Sequence, residues 1–287
     1  MAFGKSNVST ESGISKFTGY ASVFVKGVNA TKAELEKFYG REIENEPVYT
    51  GVNKDTGKKQ VRIEFLVEAD KDSKLHPGVE FKSKVSFFLN EARKVGSDSG
   101  KIQVIDKYGN TAWVTEEQLA KKEIPLDKNS NPIRIAPDYR PAYDGEAELV
   151  EFLRCYLNIK SPFNYDKDKN IYVWKPQSEL DDVESSLEHV ADYFNGNVKE
   201  LKEALALQPT NKLQVLFGVK GDYQDTFNRM FMKNGSTNYN KLAETVADAQ
   251  AKGAYPSTIF EVSPLHKYEV VASDLNKPQS TDNPWGD

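Results

Sequence analysis

A chain of 287 residues with 38% hydrophobic residues can bury one large core or two smaller ones, and a net charge of −5 argues against a general polyanion binder. No apolar run is long enough to cross a bilayer as a helix, and the polar opening MAFGKSNVSTESG lacks the apolar segment of a secretory signal. With no such run, no membrane partner is expected; the single cysteine, Cys155, excludes an internal disulfide framework and predicts a reducing, cytoplasmic setting.

Residues 1–15 show no periodicity and are expected to be disordered. Phe17 to Val25 reads as a first strand. Thr31 and Glu34 form a capping box that starts a short helix ending at Gly40. A short strand over Val48 to Val52 and a lysine-bearing turn, NKDTGKK, come next. Two strands then alternate with period two. Val61, Ile63, Phe65 and Val67 share one face, with Arg62, Glu64 and Glu68 opposite. Val79, Phe81, Val85, Phe87 and Leu89 share a face, with Lys82, Lys84 and Phe88 opposite. Lys101 to Thr115 reads as a hairpin around DKYGN, and Thr115 with Gln118 forms a second capping box. Short strands with one or two brief helices over residues 1–125 predict a small antiparallel barrel or sandwich.

Residues 124–145 are a proline-rich connection. Glu146 to Ile159 is an amphipathic helix burying Leu149, Phe152, Leu153, Tyr156 and Leu157. FNYDKDKNIYVWK reads as a loop and short strand. Helices are expected over Ser178 to Phe194, Val198 to Leu207 and Tyr239 to Lys252. A hairpin is expected over Leu213 to Met232, and weak strand character over Ile259 to Val271. The resulting division is α+β: a strand-rich region at 1–125, an α+β region at 126–273 packed on or beside it, and a disordered acidic tail at 274–287.

Most catalytic chemistries lack their residues. One cysteine and the scattered His76, His189 and His266, each expected at the surface, cannot make a structural zinc site. The calcium-like DKDKN run has Ile171 where Gly is needed and Gln177 where Glu is needed. No phosphate loop or serine elbow is present, and Cys155 lies on an apolar helix where it packs as core. Glu80-Phe81-Lys82 with Asp70 and Asp72 loosely imitates a metal-dependent nuclease core, which keeps that activity as an unfavoured alternative. No cofactor is implied, and a binding protein is the favoured class.

Residues 1–125 hold 20 Lys/Arg against 18 Asp/Glu, whereas residues 126–287 hold 18 against 25. The strand-rich segment is therefore the better place for an anionic ligand. Single strands are bound by cationic grooves with rings that stack on bases. The candidate cations are Lys58, Lys59, Arg62, Lys82, Lys84, Arg93, Lys94, Lys101 and Lys107, joined by Arg134 and Arg140 of the connection. The candidate rings are Phe88, Tyr108 and Tyr139, with Tyr20, Tyr49 and Trp113 also considered and Trp113 expected to be buried. At the end, STDNPWGD sets Asp282, Pro284, Trp285 and Asp287 on a flexible tether that suits a basic partner groove.

The block VRIEFLVEA…KVSFFLNEARKVGSDSGKIQVIDKYGNTAWV, the segment IRIAPDYRPAYDGEAELVEFLRCYLNI and the tip STDNPWGD resemble the single-stranded DNA-binding proteins of tailed bacteriophages, most closely those of crAss-like phages. The resemblance implies an OB-like β-barrel core and cooperative, sequence-indifferent coating of single-stranded DNA, with self-association along it. It also implies a tail that recruits replication or recombination proteins, in the host cytoplasm. The tip departs from that pattern by ending Trp285-Gly286-Asp287 instead of in Phe, and by carrying few acids. The competing expectation is a phage structural or interaction protein that uses its acidic half as a contact surface and binds no DNA.

Overall fold

The computed structural model describes residues 15–53, 57–94, 100–106, 110–157, 163–166, 171–174, 190–221, 223–233, 239–262 and 267–270. Their elements in chain order are β1 (Ser15–Val28), α1 (Lys32–Tyr39), β2 (Thr50–Val52), β3 (Lys59–Ala69), β4 (Lys82–Glu91), β5 (Lys101–Ile105), β6 (Thr111–Thr115), α2 (Glu116–Lys121), β7 (Arg140–Pro141), β8 (Tyr143–Asp144) and α3 (Glu146–Leu157). There follow β9 (Phe163–Asp166), β10 (Ile171–Trp174), α4 (Val190–Phe194), α5 (Lys199–Ala206), β11 (Leu213–Lys220), β12 (Tyr223–Thr226), β13 (Met232–Lys233), α6 (Tyr239–Ala251), β14 (Ile259–Phe260) and β15 (Lys267–Val270).

The principal sheet is antiparallel and runs β12-β11-β1-β3-β4-β8, with β13 and β14 on β11, β15 on β1 and β2 on β3. Strands on both sides of residue 125 build it. β1 organises the sheet because it changes partners along its length. Ser15 to Thr18 pair with β15, Gly19 to Val23 with β11, and Val23 to Val28 with β3. The register slips between Val25 and Gly27, and such a bulge bends its strand and adds twist. The sheet curls into a half-barrel. Asn228 Nδ2 donates to the Ser86 carbonyl at 2.8 Å, tying the chain beyond β12 to the edge of β4, so the two ends of the sheet approach each other.

The expected face of β3 is found, and that of β4 from Val85 on, while Val79 and Phe81 precede the strand. Val61, Ile63, Phe65 and Val67 are fully buried beside Val85, Phe87 and Leu89. The apolar stripe of α3 packs into the curl against them, with Phe152 against Phe65 (4.5 Å between centroids), Phe87 and Phe231. Cys155 is buried on that helix. At the other end of the curl Phe17 stacks on Phe81 at 4.6 Å. His76 belongs to this core, contrary to the surface position expected. It is fully buried, accepts the Ser22 N–H at Nε2 (3.0 Å) and meets the edge of Phe17.

Helices cover part of the outer face. α6 lays Leu242, Val246 and Ala249 over Tyr20, Leu216 and Phe227. α1 packs Leu35 with Ile43 over Leu66. Both predicted capping boxes form, at Thr31/Glu34 and Thr115/Gln118. A smaller sheet, β6-β5-β7, closes its own core of Val104, Ala112, Val114, Ile135 and Tyr139.

The turn into α3 is held by Gly145. Its φ is +86°, and a Cβ there would lie 2.2 Å from the Phe88 carbonyl oxygen. Gly145→Ala must accept a left-handed backbone and displace β4, so the expected loss is about 3 kcal/mol. A urea midpoint equal to that of the parent chain would place this turn away from β4.

Candidate nucleic-acid interface

The outward row of β3 and β4 is where the sequence set its main cations. The register pairs Arg62 with Phe88, Glu64 with Ser86, Leu66 with Lys84 and Glu68 with Lys82. Arg62 is not outward. Only 4% of it is exposed, because the segment before β2 folds over it: the Arg62 N–H donates to the Tyr49 carbonyl and Nη2 to the Val48 carbonyl at 3.1 Å. The guanidinium lies over the Tyr49 ring and 3.6 Å from Glu64. Glu64 is equally buried, and its carboxylate also holds Lys84 at 3.2 Å and Ser86 Oγ at 3.3 Å. Burial pushes the Tyr39 and Tyr49 hydroxyls well above the usual phenol range, and the Glu64 charge adds to it.

Along β4 itself the expected row stands. Lys82 is exposed, the Lys84 side chain keeps 41% of its surface and Phe88 keeps 38%. Residues 82 to 88 span about 20 Å at the usual strand rise. At the Lys82 end lies a groove of about 670 Å³ between the β1 bulge, α1, β4 and α5. Its floor is apolar, formed by Val25, Val28, Leu66 and Phe38. Four lysines line it, Lys26, Lys37, Lys82 and Lys202, against two acids, Glu34 and Glu68. Lys26 reaches Glu68 at 3.2 Å and Lys202 reaches Glu34 at 3.6 Å, both at the surface where such pairs exchange readily for another anion. The Thr31 N–H holds the Glu34 carboxyl below its ordinary range, with the Lys202 charge adding to this. Lys37 extends from the last turn of α1, and Lys82 donates to the Phe38 carbonyl at the helix end.

At the Phe88 end of the row a second cavity, of about 270 Å³, opens beside the β4 edge. Ser86, Phe88, Glu148, Asn228, Arg229 and Tyr255 line it. Burial raises the Tyr255 hydroxyl, which accepts the Asn228 N–H at 3.0 Å; Arg229 pulls it down, and Asp225 and Glu148 push it up.

The remaining predicted cations are dispersed. Lys59 lies over the Phe194 ring at 4.5 Å, and Lys58 donates to the Arg93 carbonyl. Arg93 is clamped by Glu91 at 2.6 Å and Glu116 at 2.8 Å; the Glu116 hydrogen bond does most to raise its pKa. Lys94 covers the half-buried Trp113 at 5.2 Å, so that ring is less deeply buried than expected. Lys101 starts β5, and Arg134 is exposed in the connection. Arg140 is bound to Glu146. Tyr139 is a core residue, not a stacking ring: it is fully buried, its hydroxyl lies 2.9 Å from the Gln118 carbonyl and 2.8 Å from that of Glu123, and Lys122 caps its face. Tyr20 is likewise buried under α6, and Tyr49 is held by its hydrogen bond to the Ala30 carbonyl. Lys107, Tyr108 and the tail residues Asp282, Pro284, Trp285 and Asp287 lie outside the described residues, as do His189 and His266.

Sequence reasoning missed Lys26, Lys37, Lys202, Glu148, Arg229 and Tyr255. Among the described residues no group of three or more His, Cys, Asp or Glu side chains could hold a metal ion, and Asp70 is bound to Lys212 at 2.7 Å. No described helix is long and apolar enough to cross a membrane. No family model matches the chain, and neither a curated protein nor a solved structure matches it.

Proposed function

We propose that this chain binds single-stranded DNA without chemistry, using the curled sheet as an OB-like platform. The observation that carries the reading is the β4 row. Lys82, Lys84 and Phe88 point to one side and join a lysine-lined groove at one end to a ring-walled cavity at the other. Lysines neutralise phosphates and Phe88 stacks on a base. An apolar groove floor suits base faces, which a duplex keeps stacked inside. The row and groove together suit about four or five nucleotides, toward the small end for a fold of this kind. Coating of DNA during phage replication or recombination, and partner recruitment by the tail tip, complete the proposal.

Fluorescence anisotropy on labelled oligo-dT over a salt series tests it. About five phosphates contacted predicts a log–log slope near −3.5. Duplex DNA should bind more weakly. Binding that ignores salt, or that favours duplex, overturns the reading.

The interaction-protein reading has one observation of its own. Tyr223 and Ile259 are largely exposed on β12 and β14, which both pair with β11, and apolar side chains on such strands suit contact with another chain. Absence of oligo-dT binding in the same titration favours it.

A further inference from the structure

We propose that the cavity at the Phe88 end of the β4 row is a base pocket selective for guanine. Its volume of about 270 Å³ is below that of pockets for larger ligands, roughly 300–1,000 Å³, and suits one base with part of its sugar. Phe88 and Tyr255 supply flat apolar walls. Tyr255 is fixed from three sides, by the Asn228 N–H on its hydroxyl and by Phe227 and Phe260 at 5.1 Å and 5.4 Å from its ring. Its backbone has φ +53°, and Ser257 has φ +65°. A bulky residue rarely occupies that region, and such strain persists only where the surroundings impose it, most often at ligand sites.

The two charged groups of the cavity give the selectivity. Glu148 at the start of α3 and Arg229 beyond β12 both line it, yet among the described residues they form no ion pair with each other. A ligand that contacts both must donate hydrogen bonds on one edge and accept them on another. Guanine offers adjacent N1–H and N2–H donors to a carboxylate, and the acceptors O6 and N7 to a guanidinium. Adenine, cytosine and thymine each lack that combination. One base-selective pocket at the end of an otherwise indifferent path would set the register of a bound strand.

This inference rests on the β4 row being the path of the strand, and its test separates the two. The full chain is titrated with dGMP, dAMP, dCMP and dTMP, then with a 15-nucleotide oligo-dT and the same strand carrying one central dG. The dG strand is expected to bind about tenfold more tightly. Of the mononucleotides, dGMP should bind most tightly. Glu148→Ala should bring the ratio of dG-strand to oligo-dT affinity down to about one, Arg229→Met should reduce that ratio, and thermal melts should show both variants folded. Oligo-dT binding with no gain from dG overturns the pocket and leaves the proposed function standing. A gain that survives both substitutions also overturns it, since the base is then read elsewhere. Binding of dGMP without oligo-dT keeps the pocket and overturns the single-strand reading, and binding of neither overturns both.

Discussion

Arg62→Met is expected to lower stability by about 3 kcal/mol and to leave the contact surface for DNA intact. The guanidinium is buried with Glu64, and it satisfies the Val48 carbonyl across the sheet. Methionine fills much of the volume and provides no donor. The Glu64 carboxylate then keeps Lys84 and Ser86 but loses its buried cation, and the Val48 carbonyl loses its partner. Removing one member of a buried pair costs more than the pair itself contributes, because the remaining charge stays desolvated. For a chain of this size the melting temperature should fall by roughly 6–12 °C. Adding Glu64→Gln should recover part of the loss, and the double-mutant cycle measures the coupling directly. A variant that melts like the parent chain but binds oligo-dT less tightly would return Arg62 to the ligand surface.

Arg62 also marks the limit of what the sequence could disclose. Period-two alternation assigned it correctly to the face opposite Val61 and Ile63, since that follows from strand geometry alone. Whether that face meets water depends on residues 43–49 folding back over it, a contact between distant parts of the chain with no local signal. The two capping boxes were legible because each is complete within four residues. His76 and Tyr139 fail for the same reason as Arg62. Both lie in polar, proline-flanked stretches that resemble surface, and both are buried by elements far away in sequence.

The groove shows the converse error. Lys26, Lys37, Lys82 and Lys202 occupy four separate elements, and only Lys82 was singled out. Lys202 lies in the acidic half, where net charge pointed away from an anionic ligand. Register brings them together. The β1 bulge turns Lys26 toward the groove, α1 delivers Lys37 at its basic end, and α5 adds Lys202 across from Glu34. By contrast Arg93 and Arg140, prominent in the sequence, are held by their own carboxylates. A count of cations along a strand therefore overstates its field, and local pairing decides which cations remain for a ligand.

The triple variant Lys37→Ala/Lys82→Ala/Lys202→Ala is accordingly expected to lose most of the DNA affinity and little of the stability. Each lost phosphate contact should remove about 0.7 from the salt slope, which corresponds to about fivefold in affinity at 0.1 M salt. Three lost contacts predict a slope near −1.4, down from about −3.5, and roughly a hundredfold weaker binding. Stability should change by no more than about 1 kcal/mol, because among the described residues the contacts removed, Lys202 to Glu34 and Lys82 to the Phe38 carbonyl, are at the surface. Phe88→Ala separates charge from stacking. It should weaken binding about tenfold with the slope unchanged, since a ring contributes to affinity without releasing counterions. Arg93→Gln with Arg140→Gln is the control, as both side chains are already engaged by Glu91, Glu116 and Glu146. That pair should leave the slope within about 0.3 of the parent value. Equal losses in the control and the groove variant would mean that DNA follows total charge and that the groove has no special part in binding.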